Sequence, residues 1–162
     1  LLGLGIPILL VVGAYMGEDL MTEDLPEPLP FAVTEGRYLP ERDSIVLVNE
    51  GVLMPGEEIQ LFFSNGGSSM IEGGVLLTDK RIILCENKYE FDFGAPKDRM
   101  MAKGVAIDQI RDITVSERGD LLKWSTIQVT AHSGEVVMLA LPQEGGGDSL
   151  FVQETLRRIV QK

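Results

Sequence analysis

The chain has 162 residues, 44% of them hydrophobic, with 25 acidic and 14 basic side chains and a net charge of −11. That is enough apolar material for one globular core plus extra segments. A single cysteine excludes an internal disulfide, a single histidine excludes a His-cluster metal site, and the absence of a basic stripe with interleaved aromatics argues against nucleic-acid binding.

The acidity is localised. Residues 1–60 hold eleven acids against Arg37 and Arg42, a balance of −9, whereas residues 61–162 carry only −2. Leu1 to Met16 is an uncharged apolar run, extended by Gly17. It is close to the length of about 20 residues that spans a bilayer. Residues 1–17 are expected to be part of a transmembrane anchor, completed by residues preceding Leu1, with Tyr15 at the interface. A cleaved signal peptide and a buried helix are the alternatives, but Pro7 and the bulky Tyr15-Met16 fit a cleavage site poorly. Residues 18–40 contain Pro26, Pro28, Pro30 and Pro40 among many acids. This composition favours an extended, solvated spacer between membrane and domain.

Arg42 to Leu53 is ambiguous, but its β-branched run Ile45-Val46-Leu47-Val48 suggests a strand, followed by a turn at Pro55-Gly56. From Glu57 onward, strand candidates recur at 57–64, 69–77, 81–86, 88–93, 104–108, 110–117, 124–132 and 135–141. Ile59, Leu61 and Phe63 are expected on one face of the first. Glu57-Glu58 beside the turn looks like a solvated edge. Val75 and Leu77 alternate before the turn Thr78-Asp79-Lys80-Arg81, and Ile82 and Leu84 after it, which predicts a hairpin with a buried apolar face. Cys85, in the apolar run that follows, is expected to be a buried structural thiol. Ile127, Val129 and Ala131, then Val137, Leu139 and Leu141, alternate across a tight turn at Ser133-Gly134. The period changes after Gly145-Gly146-Gly147. Asp148 or Ser149 can cap a helix to about Gln161, with Val152, Leu156 and Ile159 on one face and Phe151 and Val160 beside them.

Three short pieces carry a family resemblance: Pro55-Gly56-Glu57-Glu58, the Leu77-Thr78-Asp79-Lys80-Arg81 hairpin, and Ala106-Ile107-Asp108-Gln109-Ile110. In these, residues 50–162 resemble GRAM and bacterial pleckstrin-homology-like (PH-like) domains. The resemblance implies a mainly β fold: a PH-like antiparallel barrel over residues 41–162, closed by the C-terminal helix. It also implies a lipid- or partner-binding role without chemistry. PH-type headgroup sites place cations in the loop between the first two strands, and here Ser64 to Met70 has none.

The candidate binding residues are therefore Lys80 and Arg81 at the hairpin, and Lys97, Arg99, Met100, Met101 and Lys103 in an expected loop over 97–103. The cations would meet anionic lipid and the methionines would enter the interface. No nucleophile–base pair can be assembled, so no enzymatic activity, cofactor or metal is expected. Three functions follow: a membrane-tethered adaptor that binds protein or self-assembles, a peripheral anionic-lipid reader using the 97–103 loop, or a structural subunit of a larger membrane complex. The unpaired Cys85 and the resemblance favour a cytoplasmic domain.

Overall fold

The computed structural model describes residues 32–65, 70–92, 95–118 and 123–161, without the side chains of residues 71, 88–92, 95–98 and 118. The expected anchor over 1–17 and most of the spacer lie outside the described residues. Within them, no helix is long and apolar enough to cross a membrane.

Eight antiparallel strands form two sheets. The first runs β1 (Thr34–Glu35), β2 (Ile59–Ser64), β3 (Gly73–Thr78), β4 (Arg81–Asp92) and β5 (Ala95–Ala106), in that order. The second runs β6 (Ile110–Arg118), β7 (Trp124–Ala131) and β8 (Val136–Pro142). A 3-10 turn at Ile107–Gln109 joins them. No strand pairing links the sheets among the described residues, so the ladder does not form the expected closed barrel. The chain passes from one sheet to the other through this turn, so β5 and β6 belong to different sheets.

Strand alternation divides the apolar residues into two clusters. Leu61 and Phe63 of β2, Val75 and Leu77 of β3, and Ile82 of β4 face the second sheet. There they meet Ile127 and Val129 of β7, Val137, Leu139 and Leu141 of β8, and Phe151 of the C-terminal helix. Phe62, Leu76, Ile83 and Cys85 point the other way, into a second cluster with Leu39, Leu47, Val52, Leu53 and Met70. The middle of the first sheet is thus buried on both faces, and every residue of β3 is buried. The hairpin was expected to bury only one face. Its continuous run of Val75-Leu76-Leu77 fits a strand covered on both sides. Ile59 departs from the expected face. A register shift between Ile59 and Leu61 turns it toward the second cluster. Across the first cluster, Phe63 and the sole tryptophan, Trp124, meet edge to face at 5.5 Å.

The cover over the second cluster corrects the strand expected at 45–48. Glu41–Asn49 is a helix, α1. Glu41 and Asp43 in its first turn suit the positive end of the helix dipole. Asp43 and Leu47, four residues apart, form its buried face, leaving Ile45 and Val48 exposed. The Asp43 carboxylate accepts a 2.7 Å hydrogen bond from the Met70 amide, fixing α1 to the 3-10 turn Met70–Glu72. The helix ends in a Schellman motif: the Val52 amide donates to Leu47 O at 2.9 Å and the Gly51 amide to Val48 O at 3.0 Å. Burial and these terminal bonds outweigh the modest strand preference of the β-branched run. Gly51 sits at φ +74° with open space around it. Gly51→Ala should therefore cost about 1 kcal/mol through backbone conformation alone, read as a small fall in thermal midpoint with unchanged circular dichroism.

The expected C-terminal helix is present as α2, Gly147–Val160, but it starts on the last glycine of the run, so neither Asp148 nor Ser149 is its cap. It packs on β8 and on the Ile107–Gln109 turn. Its helical N-cap is Gly146, and no side chain caps it. The centre of its buried face is Phe151 and Thr155 rather than Leu156, and Leu156 and Val160 are exposed. The Thr155 hydroxyl donates to Phe151 O at 2.8 Å, so its burial leaves no unpaired donor.

Candidate functional site

The hairpin turn is an internal clasp. The Glu57 side chain is fully buried, at the start of β2. It receives Arg81 Nη2 at 2.6 Å, Arg81 Nε at 3.0 Å, the Thr78 hydroxyl at 2.6 Å and the Met54 amide at 2.9 Å. Arg81 also donates to Val52 O at 2.9 Å. On the exposed side, the Glu58 amide donates to Asp79 Oδ1, and the Asp79 amide to Glu58 O. The two quoted motifs, Pro55–Glu58 and Leu77–Arg81, therefore bind each other, and Glu57 is not the solvated edge expected. Burial pushes the Glu57 carboxyl up, but the hydrogen bonds from Arg81, Thr78 and Met54 outweigh it and hold the group at about 2, against an ordinary 4.5. The bond to Glu57 likewise raises Arg81 above its ordinary value. Arg81 is committed to the fold and is not a free ligand-binding cation.

The expected 97–103 loop is the middle of strand β5. Its partners in register run from Lys97↔Glu90 to Lys103↔Leu84. Alternation sets Arg99, Met101 and Lys103 on the side of Val105, and Met100 on the other, where it packs against the second cluster. Arg99, Met101 and Lys103 are exposed, and Lys103 Nζ donates to Val136 O at 3.2 Å. The side chain of Lys97 lies outside the described residues. Lys80 is exposed but stands at the opposite end of this hairpin. Arg81 pairs with Ala106, seven residues along β5 from Arg99, a separation of about 23 Å at strand rise. Arg99 is thus remote from the hairpin turn, whereas Lys103 is three residues from Ala106, about 10 Å at strand rise.

Cys85 is fully buried, and burial pushes its thiol up to about 12, which leaves it protonated and unreactive at neutral pH. His132 is exposed just after β7, its amide held by Gln109 O. Among the described residues, no group of three His, Cys, Asp or Glu side chains is placed to hold a metal ion. Part of the Ser64–Met70 loop, residues 66–69, lies outside the described residues.

A different surface emerges between β6 and α2. β6 is the edge of its sheet and pairs only with β7. Its pairing partner places Val115 opposite Ile127, on the inward side of the sheet, yet Val115 is 45% exposed. α2 packs chiefly on β8 and on the 107–109 turn. A groove of ≈300 Å³ is lined by Val115, Asp148, Ser149, Val152 and Gln153. Leu156 and Val160, at 47% and 84% exposure, continue the apolar stripe along the next turns of α2.

The floor of the groove is firm. Asp148 accepts from the Ser125 hydroxyl at 2.6 Å and from the Ser149 amide at 2.7 Å, and Gln143 Nε2 donates to Ser125 Oγ at 3.0 Å. These bonds tie the start of α2 to β7. Sequence reading did not single out this surface. The available signal was an apolar stripe on α2 too broad for one buried face, running from Phe151 round to Val160.

No protein-family model, curated protein or solved structure matches this chain.

Proposed function

We propose that this chain is a non-catalytic, membrane-tethered PH-like adaptor whose folded domain holds a protein partner or a further copy of itself in the groove between β6 and α2. The observation that carries this reading is the groove: Val115, exposed on the edge strand, and Val152 line a concavity, and Leu156 and Val160 continue the exposed apolar stripe of α2 beyond it. Contiguous exposed apolar surface of this kind marks interaction sites. The order of strands followed by one closing helix, and the two motifs that clasp each other, support the PH-like assignment. The apolar run Leu1–Met16 supports the tether, and the PH-like resemblance with the unpaired Cys85 favours the cytoplasmic side. The spacer would hold the groove clear of the lipid surface.

The full chain, purified in mild detergent, should carry a partner or further copies at fixed stoichiometry. Val115→Glu places a charge in the groove at an exposed position and should release them while leaving the thermal midpoint within about 1 kcal/mol equivalent. An unchanged complex in that variant would remove the groove from the account. Fixed stoichiometry with several other membrane proteins would identify the chain as a structural subunit of a larger assembly.

A second reading has its own observation: Arg99, Met101 and Lys103 share one exposed face of β5. Two cations flanking a methionine suit an anionic lipid surface. The full chain in anionic nanodiscs should then show slower amide exchange over 95–106 than in neutral ones, and Arg99→Glu with Lys103→Glu should abolish the difference. Equal exchange in both lipids removes this reading.

A further inference from the structure

Arg99 and Lys103 are cations in search of an acid. Among the described residues, Arg37, Arg81, Arg157 and Arg158 each meet a carboxylate, whereas none pairs with Arg99 or Lys103, and Lys103 Nζ donates only to Val136 O. Met101, 44% exposed, stands between them on the same face of β5. In register, Lys88 lies opposite Arg99 and Glu86 opposite Met101, so one acid among these positions leaves the balance positive. The complement is in the chain itself. Residues 18–24 read Glu18-Asp19-Leu20-Met21-Thr22-Glu23-Asp24, two acidic pairs enclosing an apolar centre. The pairs are five residues apart, about 16 Å in an extended chain, and Arg99 and Lys103 are four apart, about 13 Å along the strand.

The described chain begins where such a contact is within reach. A Cβ on Gly147 would stand 3.0 Å from Val33 Cβ and 3.3 Å from Pro142 O, so Val33 lies beside the end of β8. The start of β8, Val136, lies at Lys103, six residues and about 20 Å away. Counting back from Ala32, Asp24 is eight residues away, a reach of up to about 26 Å, and Asp19 is thirteen, up to about 43 Å. We infer that residues 18–24 dock on this face of their own domain, with Glu23-Asp24 at Lys103, Glu18-Asp19 at Arg99 and Leu20-Met21 against Met101. Exposed ion pairs are individually weak, but a strip on the same chain acts at roughly millimolar effective concentration. The spacer thus has a bound state besides that of a solvated tether, and in it covers the cations that anionic lipid would otherwise meet. The groove lies at the β6 edge of its sheet, opposite β8, so the contact leaves it open and does not depend on what it holds.

The test is zero-length carbodiimide coupling of the full chain in neutral detergent, using an equal mixture of unlabelled and isotope-labelled chains, with the linked peptides mapped by mass spectrometry. The inference predicts an amide between Lys103 and Glu23 or Asp24 within one chain. Its yield should fall about tenfold in about 1 M salt, where the screening length is about 3 Å. Glu23→Lys with Asp24→Lys should abolish the link, and adding Lys103→Glu should restore one between the same positions. All three positions are outside the packed cores, so these variants fold as the parent does. No link between these positions, a link that persists in salt, or no recovery in the charge-swapped chain would overturn the inference. Links that join unlabelled to labelled chains would overturn it too, by assigning the strip to a second copy.

Discussion

Glu57→Ala should be the most destabilising single change at the hairpin, costing about 3–5 kcal/mol. The substitution leaves Arg81, the buried Thr78 hydroxyl and the Met54 amide without their shared acceptor in a partly buried site. It also frees the connection between the α1 cover and the first sheet, because Arg81 reaches Val52 O on one side and Glu57 on the other. Chemical denaturation of the full chain in detergent checks the magnitude. The pH dependence supplies an independent readout. The Glu57 carboxyl sits near 2 in the folded chain and near 4.5 when unfolded. Its contribution is fully present above 4.5 and is lost as pH falls from there toward 2, since the unfolded chain then binds a proton that the folded chain refuses. Wild type should lose stability across that window more steeply than Glu57→Ala. Parallel acid profiles would show that the carboxylate is not held as described.

Phe63→Ala should cost about 3–5 kcal/mol. Phe63 is 2% exposed in the first cluster, and its ring packs edge to face on Trp124, so it joins β2 of one sheet to β7 of the other. The loss combines a cavity with an aromatic pair worth about 1 kcal/mol beyond area. Because Trp124 is the only tryptophan, its emission reports this contact directly. A red shift of the native spectrum should accompany the fall in stability. An unshifted spectrum with a small loss would mean that the sheets are held together elsewhere.

The parts of this fold that were legible in the sequence are those with a buried face on a regular period. Val137, Leu139 and Leu141 alternate and are buried, and Ile127, Val129 and Ala131 do the same on β7. The closing helix begins on the last residue of its glycine run, close to the expected place. Helix α1 was hidden because its core-facing residues are one leucine and one aspartate, Leu47 and Asp43, while its β-branched residues Ile45 and Val48 face outward. Strand β5 was hidden for a different reason. Over 95–103 it is the outer strand of its sheet and needs no apolar alternation there, and Pro96 and Lys97 are residues that edge strands carry to discourage pairing. The clasp was invisible because Glu57 and Arg81 lie 24 residues apart and meet only when β2 and the β3–β4 turn fold together. The same holds for the binding surface. Charged residues drew attention to Lys80, Arg81 and the 97–103 segment, whereas the groove is built from Val115 and one face of α2, which meet only in three dimensions.

This contrast also changes what the hairpin motif means. Leu77–Arg81 is one of the three pieces that carry the family resemblance, and its arginine was a candidate for ligand binding. Its guanidinium is paired with the buried Glu57 carboxylate, so the motif closes the fold at this turn. The proposed partner surface lies on the other sheet, where β6 is the edge among the described residues and Val115 shares a groove with α2.

Photocrosslinking from a benzoylphenylalanine placed at position 115 of the full chain, in its native membranes, tests the central claim most directly, with the same probe at position 80 as the control. The adaptor account predicts a discrete protein adduct from position 115 and none of that mass from position 80. No adduct from position 115, or the same adduct from both, would contradict it.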